Sequence, residues 1–162
     1  MAEMTVEQLT DKLKSVRVNL LKSIEGLPDD DITQEIGTNG WKSIKDIILH
    51  LASGERGMLT VARQCLAGQR VSYEGFDLDR WNERQVEKKR HLSVAEALAE
   101  LQAVREDSLT TLRELTPEQL RMPAAHPFWG DVTVGQLFRI MSIHDELHRR
   151  DVEQIRAVGS SQ

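Results

Sequence analysis

The sequence predicts an all-α protein, a four-helix bundle with a long crossover between its second and third helices. Three observations carry that prediction. Four segments repeat apolar residues at three- and four-residue spacing, and each opens on a residue whose side chain can cap a first turn. No stretch shows the sustained alternation or the β-branched runs of a strand. A chain of 162 residues is one domain's length, so residues 1–162 are read as a single bundle domain.

The first predicted helix runs from about Thr5 to Glu25, with Val6, Leu9, Leu13, Val16, Leu20 and Ile24 on one stripe. Thr5 and Gln8 form a capping box, and Gly26 before Pro28 closes the segment. The second starts at Ser43, paired with Asp46, and carries Ile44, Ile47, Ile48, Leu51, Met58, Leu59, Ala62 and Leu66 until Gly68 stops it. The third opens at Ser93 with Glu96 as reciprocal partner, continues through Leu98, Leu101, Leu109, Leu112 and Leu115, and ends at Pro117. The fourth opens at Thr133 with Gln136, stapled by Val132 against Leu137, and runs through Ile140, Met141, Ile143, Leu147, Val152 and Ile155. The tail Gly159 to Gln162 is expected to fray. The middle connection is the longest, about 24 residues against about 17 for the others, which allows a crossover that sets helices two and three parallel. Leu78, Trp81 and Val86 within it are spaced for a short extra helix.

Composition excludes several classes. With 40% hydrophobic and 29% charged residues the chain is globular, neither disordered nor membrane-spanning. The net charge is -5 and its cations are scattered, so nucleic acid is not an expected partner. A lone cysteine, Cys65, rules out an intramolecular disulfide, and the polar start at Met1 to Gln8 lacks a secretory apolar core; both point to the cytoplasm.

The candidate site is built from histidines. His144 and His148 stand four apart on the fourth helix, one above the other on a single face that Asp151 shares. An isolated pair of this kind is usually a polar patch. His50 changes the weighing, because it interrupts Ile47-Ile48-Leu49-His50-Leu51, where a leucine would serve the core better and a buried imidazole needs a partner. Along its stripe follow Ser53, Gly54 and Gly57, small residues that suit either close helix packing or space for a ligand. At 1.5 Å per residue His50 lies roughly 10 Å into helix two and His148 roughly 14 Å from the end of helix four, so an antiparallel pairing of those helices brings them level.

Other candidates are weaker. His144-Asp-Glu-Leu-His148 approaches the zincin pattern but puts aspartate where the general-base glutamate belongs. Cys65 reads as a packed small hydrophobe. Trp41, Trp81 and Trp129 read as loop anchors, with pocket lining as the alternative, and His91 and His126 as loop or surface residues. Asp46 and Glu55 are candidates to act beside the histidines, but Asp46 has its cap role, Glu55 is expected to be solvated, and neither is assigned a catalytic role.

The segments Trp41-Lys-Ser-Ile-Lys-Asp-Ile-Ile-Leu-His50-Leu, Asp77-Leu-Asp-Arg-Trp81-Asn82-Glu83, Thr133-Val-Gly-Gln-Leu and His144-Asp-Glu-Leu-His148 together resemble the DinB-like superfamily, which includes bacillithiol- and mycothiol-dependent transferases. The resemblance implies an up-down-down-up bundle, often a homodimer, with a divalent metal held by His50, His144 and His148. Three imidazoles suit zinc or nickel first, iron or cobalt next, and leave a coordination position open unless Asp151 fills it. The activity it implies is transfer of a low-molecular-weight thiol to a small electrophile, the rival being a non-catalytic bundle that binds or sequesters a small ligand.

Overall fold

A computed structural model describes residues 1–36 and 41–160. The elements are α1 (Val6–Ile24), α2 (Asp29–Thr33), α3 (Ile44–Leu66), α4 (Leu78–Lys89), α5 (Val94–Arg113), α6 (Pro117–Leu120), β1 (Pro123–His126), β2 (Gly130–Thr133) and α7 (Val134–Gly159). The long helices α1, α3, α5 and α7 are the four expected from the sequence, and α4 is the short helix of the crossover. Capping boxes close the starts of α1, α5 and α7 through Thr5, Ser93 and Thr133. At α3 the Ser43 hydroxyl accepts from the Asp46 amide, while the Asp46 carboxylate turns away to pair with Arg90 at 3.0 Å. Helix α7 runs through Gly159 with Ser160 as its cap, so the expected fraying does not reach Gly159; Ser161 and Gln162 lie outside the described residues.

Side-chain bonds to neighbouring helices fix the directions. Arg139 reaches the Ala2 carbonyl, Arg17 reaches Asp145, and Arg156 reaches the Ser23 carbonyl, so α1 and α7 run parallel. Lys45 donates to the Leu92 carbonyl and Arg63 pairs with Asp107, so α3 and α5 are parallel too. Arg17 to the Leu101 carbonyl and Arg105 to the Leu13 carbonyl set α1 antiparallel to α5. The bundle is therefore up-down-down-up, and the pairing of α3 with α7 is antiparallel.

Four short elements, α2, α6, β1 and β2, escaped the periodicity. Helix α2 has five residues, below the length at which a 3.6-residue repeat is visible. Strands β1 and β2 have four each and form an antiparallel hairpin pairing Pro123 with Thr133 and His126 with Gly130. Gly130 closes its turn at φ 71°, in the left-handed region that favours glycine, and the hairpin delivers Thr133 to its cap on α7.

The core divides into two apolar clusters. One includes Leu9, Leu13, Leu59, Leu112 and Phe138; the other includes Leu20, Ile48, Leu101, Val104 and Val152. Between them lies a layer of four buried charges, one from each long helix: Arg17, Glu55, Arg105 and Asp145. Glu55 accepts from Arg17 at 2.7 Å and from Arg105 at 2.8 Å; Asp145 accepts from the same two arginines at 2.8 and 3.1 Å. The layer is formally neutral, and both guanidiniums also reach main-chain carbonyls, so every member is satisfied as buried charge requires. Glu55 is thus not solvated. Burial alone would push its carboxyl up, but Arg105 and Arg17 outweigh that and hold it below the ordinary value. None of the described helices is long and apolar enough to cross a membrane.

Candidate metal centre

His50 sits two turns into α3, and His144 and His148 occupy one face of α7 opposite it. One ring nitrogen from each lies within 4.8 Å of the others. His50 Nε2 and His144 Nε2 are 2.8 Å apart. The antiparallel α3–α7 pairing brings them level, as the helix rise predicts. His50 and His148 are buried and His144 is partly exposed.

Each ring is held by something specific. The Trp41 indole lies over His50 with ring centres 4.3 Å apart and meets His148 edge-on at 5.6 Å. His148 Nδ1 donates to Asp151 Oδ2 at 2.8 Å, which leaves Nε2 as its other ring nitrogen. His144 packs over Gly54, where a Cβ would stand only 3.0 Å from its Cε1. Gly57 does the same for Trp81, with a Cβ 3.2 Å from Cη2. The small-residue stripe on α3 is therefore occupied by two aromatic rings. Beneath the triad, Asp145 and Glu55 of the charged layer adjoin His144 and Gly54 in sequence and tie α7 to α3 through the two arginines.

All three imidazoles are neutral at pH 7. Burial pushes His50 down to about 3, with His148 adding to the shift. Burial, then His50 and His148, holds His144 well below its ordinary value. Burial also lowers His148, although the bond to Asp151 works the other way. Neutral imidazole is the ligating form. Nitrogens around a tetrahedral ion at about 2.0–2.1 Å stand about 3.3 Å from one another, and the 2.8 to 4.8 Å spread brackets that spacing. The donor set fits a divalent ion of borderline softness. His50 Nδ1 is buried with no hydrogen-bond partner among the described residues.

The triad opens on a cleft of about 630 Å³. His50, His144, Trp81, Trp129 and His126 all contribute to its walls. Trp81 and Trp129 thus line a pocket, while Trp41 covers the triad from the side of His50. His126, expected on a loop or the surface, belongs to β1 and faces the cleft, where burial lowers its pKa. His91 lies in the short turn before α5, and Cys65 is packed in the first apolar cluster.

Sequence reasoning missed Arg17, Arg105 and Asp145 and read Glu55 as solvated. A signal existed: Arg17 lies four residues after Leu13, Glu55 four after Leu51, Arg105 four after Leu101 and Asp145 four after Met141, so each charge stands on the apolar stripe of its helix.

A family model described as the DinB superfamily matches residues 12–152. No functionally curated protein matches the sequence. Among solved structures, YfiT from Bacillus subtilis, a probable metal-dependent hydrolase with an unusual four-helix bundle topology, is 19% identical and superposes with a TM-score of 0.78 over 98% of this chain and 92% of its own. A mutant of the mycothiol-dependent maleylpyruvate isomerase is 12% identical, with a TM-score of 0.71 over 94% of this chain and 63% of its own. The colibactin self-resistance protein ClbS, solved in complex with a dsDNA, is 14% identical, with a TM-score of 0.79 over 97% and 98%. At these identities the likeness is one of fold. The ClbS complex means that the fold itself does not exclude DNA, so the expectation against nucleic acid stands on the scattered charge alone.

Proposed function

This chain belongs to the DinB superfamily, and on that footing we propose a metal-dependent enzyme that transfers a low-molecular-weight thiol to a small electrophile. His50, His144 and His148 hold one divalent ion, zinc or nickel ahead of iron or cobalt. The observation that carries the reading is the convergence of three neutral imidazoles within 4.8 Å at the edge of an apolar cleft. When bound, the ion supplies Lewis acidity that lowers the pKa of a thiol or water reaching its open side.

The chain's own residues do the rest. Asp151 fixes the tautomer and direction of His148, so it orients a ligand and does not act as a fourth one. Trp41 shields His50 from water, and Gly54 lets His144 approach α3. The buried arginine and carboxylate layer keeps α3 and α7 in register. A thiol of low molecular weight and an apolar electrophile share the cleft; with an aryl halide the sulfur–carbon bond forms as the carbon–halogen bond breaks, the halide departs with the bonding pair, and the thiol proton leaves to solvent. The homodimer implied by the resemblance is part of this reading and is checked by the mass of the protein in solution.

The rival is a non-catalytic bundle that binds or sequesters a small ligand, and the aromatic cleft favours it. One experiment separates the two: thiol-dependent loss of a chromogenic aryl halide, followed with zinc- or nickel-loaded protein and with His148→Ala. Turnover that disappears in the variant is the expected result. No difference between the two proteins overturns the transferase reading.

A further inference from the structure

His126 ends β1 beside the cleft, and the hairpin turn sets its ring. The main-chain N–H groups of Phe128 and Trp129 both donate to Nδ1, at 3.1 and 3.2 Å. A ring nitrogen accepting two such bonds carries no proton, so the proton of the neutral imidazole resides on Nε2. Nε2 has no hydrogen-bond partner among the described residues, and the ring is part of the cleft wall that His144 shares. The turn thus presents a fixed N–H donor close to the triad.

The walls around that donor are aromatic. Trp81 is wedged over Gly57, Phe76 lies 6.3 Å from it centre to centre, and the exposed Phe128 and Trp129 of the hairpin extend the lining. Two cations stand at the rim, Lys89 and Arg56, and they share the one carboxylate of Glu100. A volume of about 630 Å³ is within the range of small-molecule sites. Aromatic walls select a ring, and a donor fixed among them discriminates for an acceptor oxygen.

We propose that this cleft binds an aromatic compound bearing a carbonyl-type oxygen, its ring against Trp81 and the hairpin aromatics and its oxygen accepting from His126 Nε2–H. If the thiol transfer proposed above is correct, this names the class of its electrophile, and in that role it rests on that reading. The binding itself does not require the ion.

The test uses acetophenone and its near-isostere ethylbenzene, which lacks the oxygen, in NMR shift titrations of the protein as purified and after EDTA treatment. His126→Asn is the decisive variant, because its Oδ1 can still accept from the turn amides while no donor remains at the Nε2 position. The expected result is a loss of about five- to tenfold in acetophenone affinity, with ethylbenzene unchanged within about twofold, in both metal states. Trp81→Ala weakens both compounds. Absence of acetophenone binding to the unmodified protein, or an equal effect of His126→Asn on both compounds, overturns the proposal. A failed thiol assay alongside an intact His126 effect condemns the reaction alone.

Discussion

Asp151 Oδ2 lies 2.8 Å from Nδ1 of His148, three residues along α7, and that bond determines which nitrogen of His148 is left to ligate. A carboxylate in this position fixes the imidazole and raises its basicity, and loss of such a partner typically costs 10- to about 100-fold in metal affinity. Asp151→Ala is expected to lower affinity for zinc by that order while leaving the far-UV circular dichroism unchanged. A chelator competition that returns the unmodified affinity contradicts this role.

The glycines of α3 separate the triad from the cleft. Gly54→Ala forces its Cβ to within 3.0 Å of His144 Cε1, so the ring must shift. Gly57→Ala presses on Trp81 instead, at 3.2 Å. Both substitutions raise helix propensity by up to about 1 kcal/mol. Metal affinity is expected to fall in Gly54→Ala and to hold in Gly57→Ala, where the acetophenone affinity falls. The same chelator and NMR titrations read both, and an unchanged metal affinity in Gly54→Ala means the ring has room to move.

The charged layer makes a prediction about stability. Removing one carboxylate leaves two guanidiniums with half their compensation in a buried site, a change that costs about 3–5 kcal/mol. Glu55→Ala is expected to lose that much in urea unfolding. Asp107→Ala, which breaks the half-exposed pair with Arg63, is expected to lose less than about 1 kcal/mol. Equal losses in the two variants contradict the assignment of the layer.

Acid should unfold the metal-free protein in two windows. His50 is about 3 in the folded chain against an ordinary 6.5, so the unfolded chain binds more protons between those values. Its contribution is complete above pH 6.5 and is lost as pH falls toward about 3. Glu55 is held below its ordinary 4.5, so its contribution is present above that pH and is lost as pH falls below it. Urea midpoints should therefore decline from about pH 6.5 and steepen below 4.5, and Glu55→Gln should remove part of the steeper phase. Midpoints that stay flat from neutral pH to pH 5 contradict the neutral, buried state of the histidines.

The helices were legible because Thr5, Ser93 and Thr133 announce their starts and leucines mark their stripes. The direction of each helix followed from the length of the crossover and from the family resemblance. His50 was legible as a polar residue in an apolar run, and its partners from their four-residue spacing. Glu55 was misread, since a single glutamate on a helix is usually solvated and the compensating Arg17 and Arg105 lie 38 and 50 residues away. Asp145 was hidden beside His144, which drew attention to the other face of α7. His126 could not be placed because the hairpin that orients it is built from four-residue strands, too short to register as alternation.

The most direct measurement is the metal content of the protein purified without added metal, taken alongside His50→Ala. About one divalent ion per chain, zinc or nickel, in the unmodified protein and its loss in the variant is the expected result. Occupancy near zero that neither zinc nor nickel restores, or full occupancy in His50→Ala, contradicts a centre built on His50, His144 and His148.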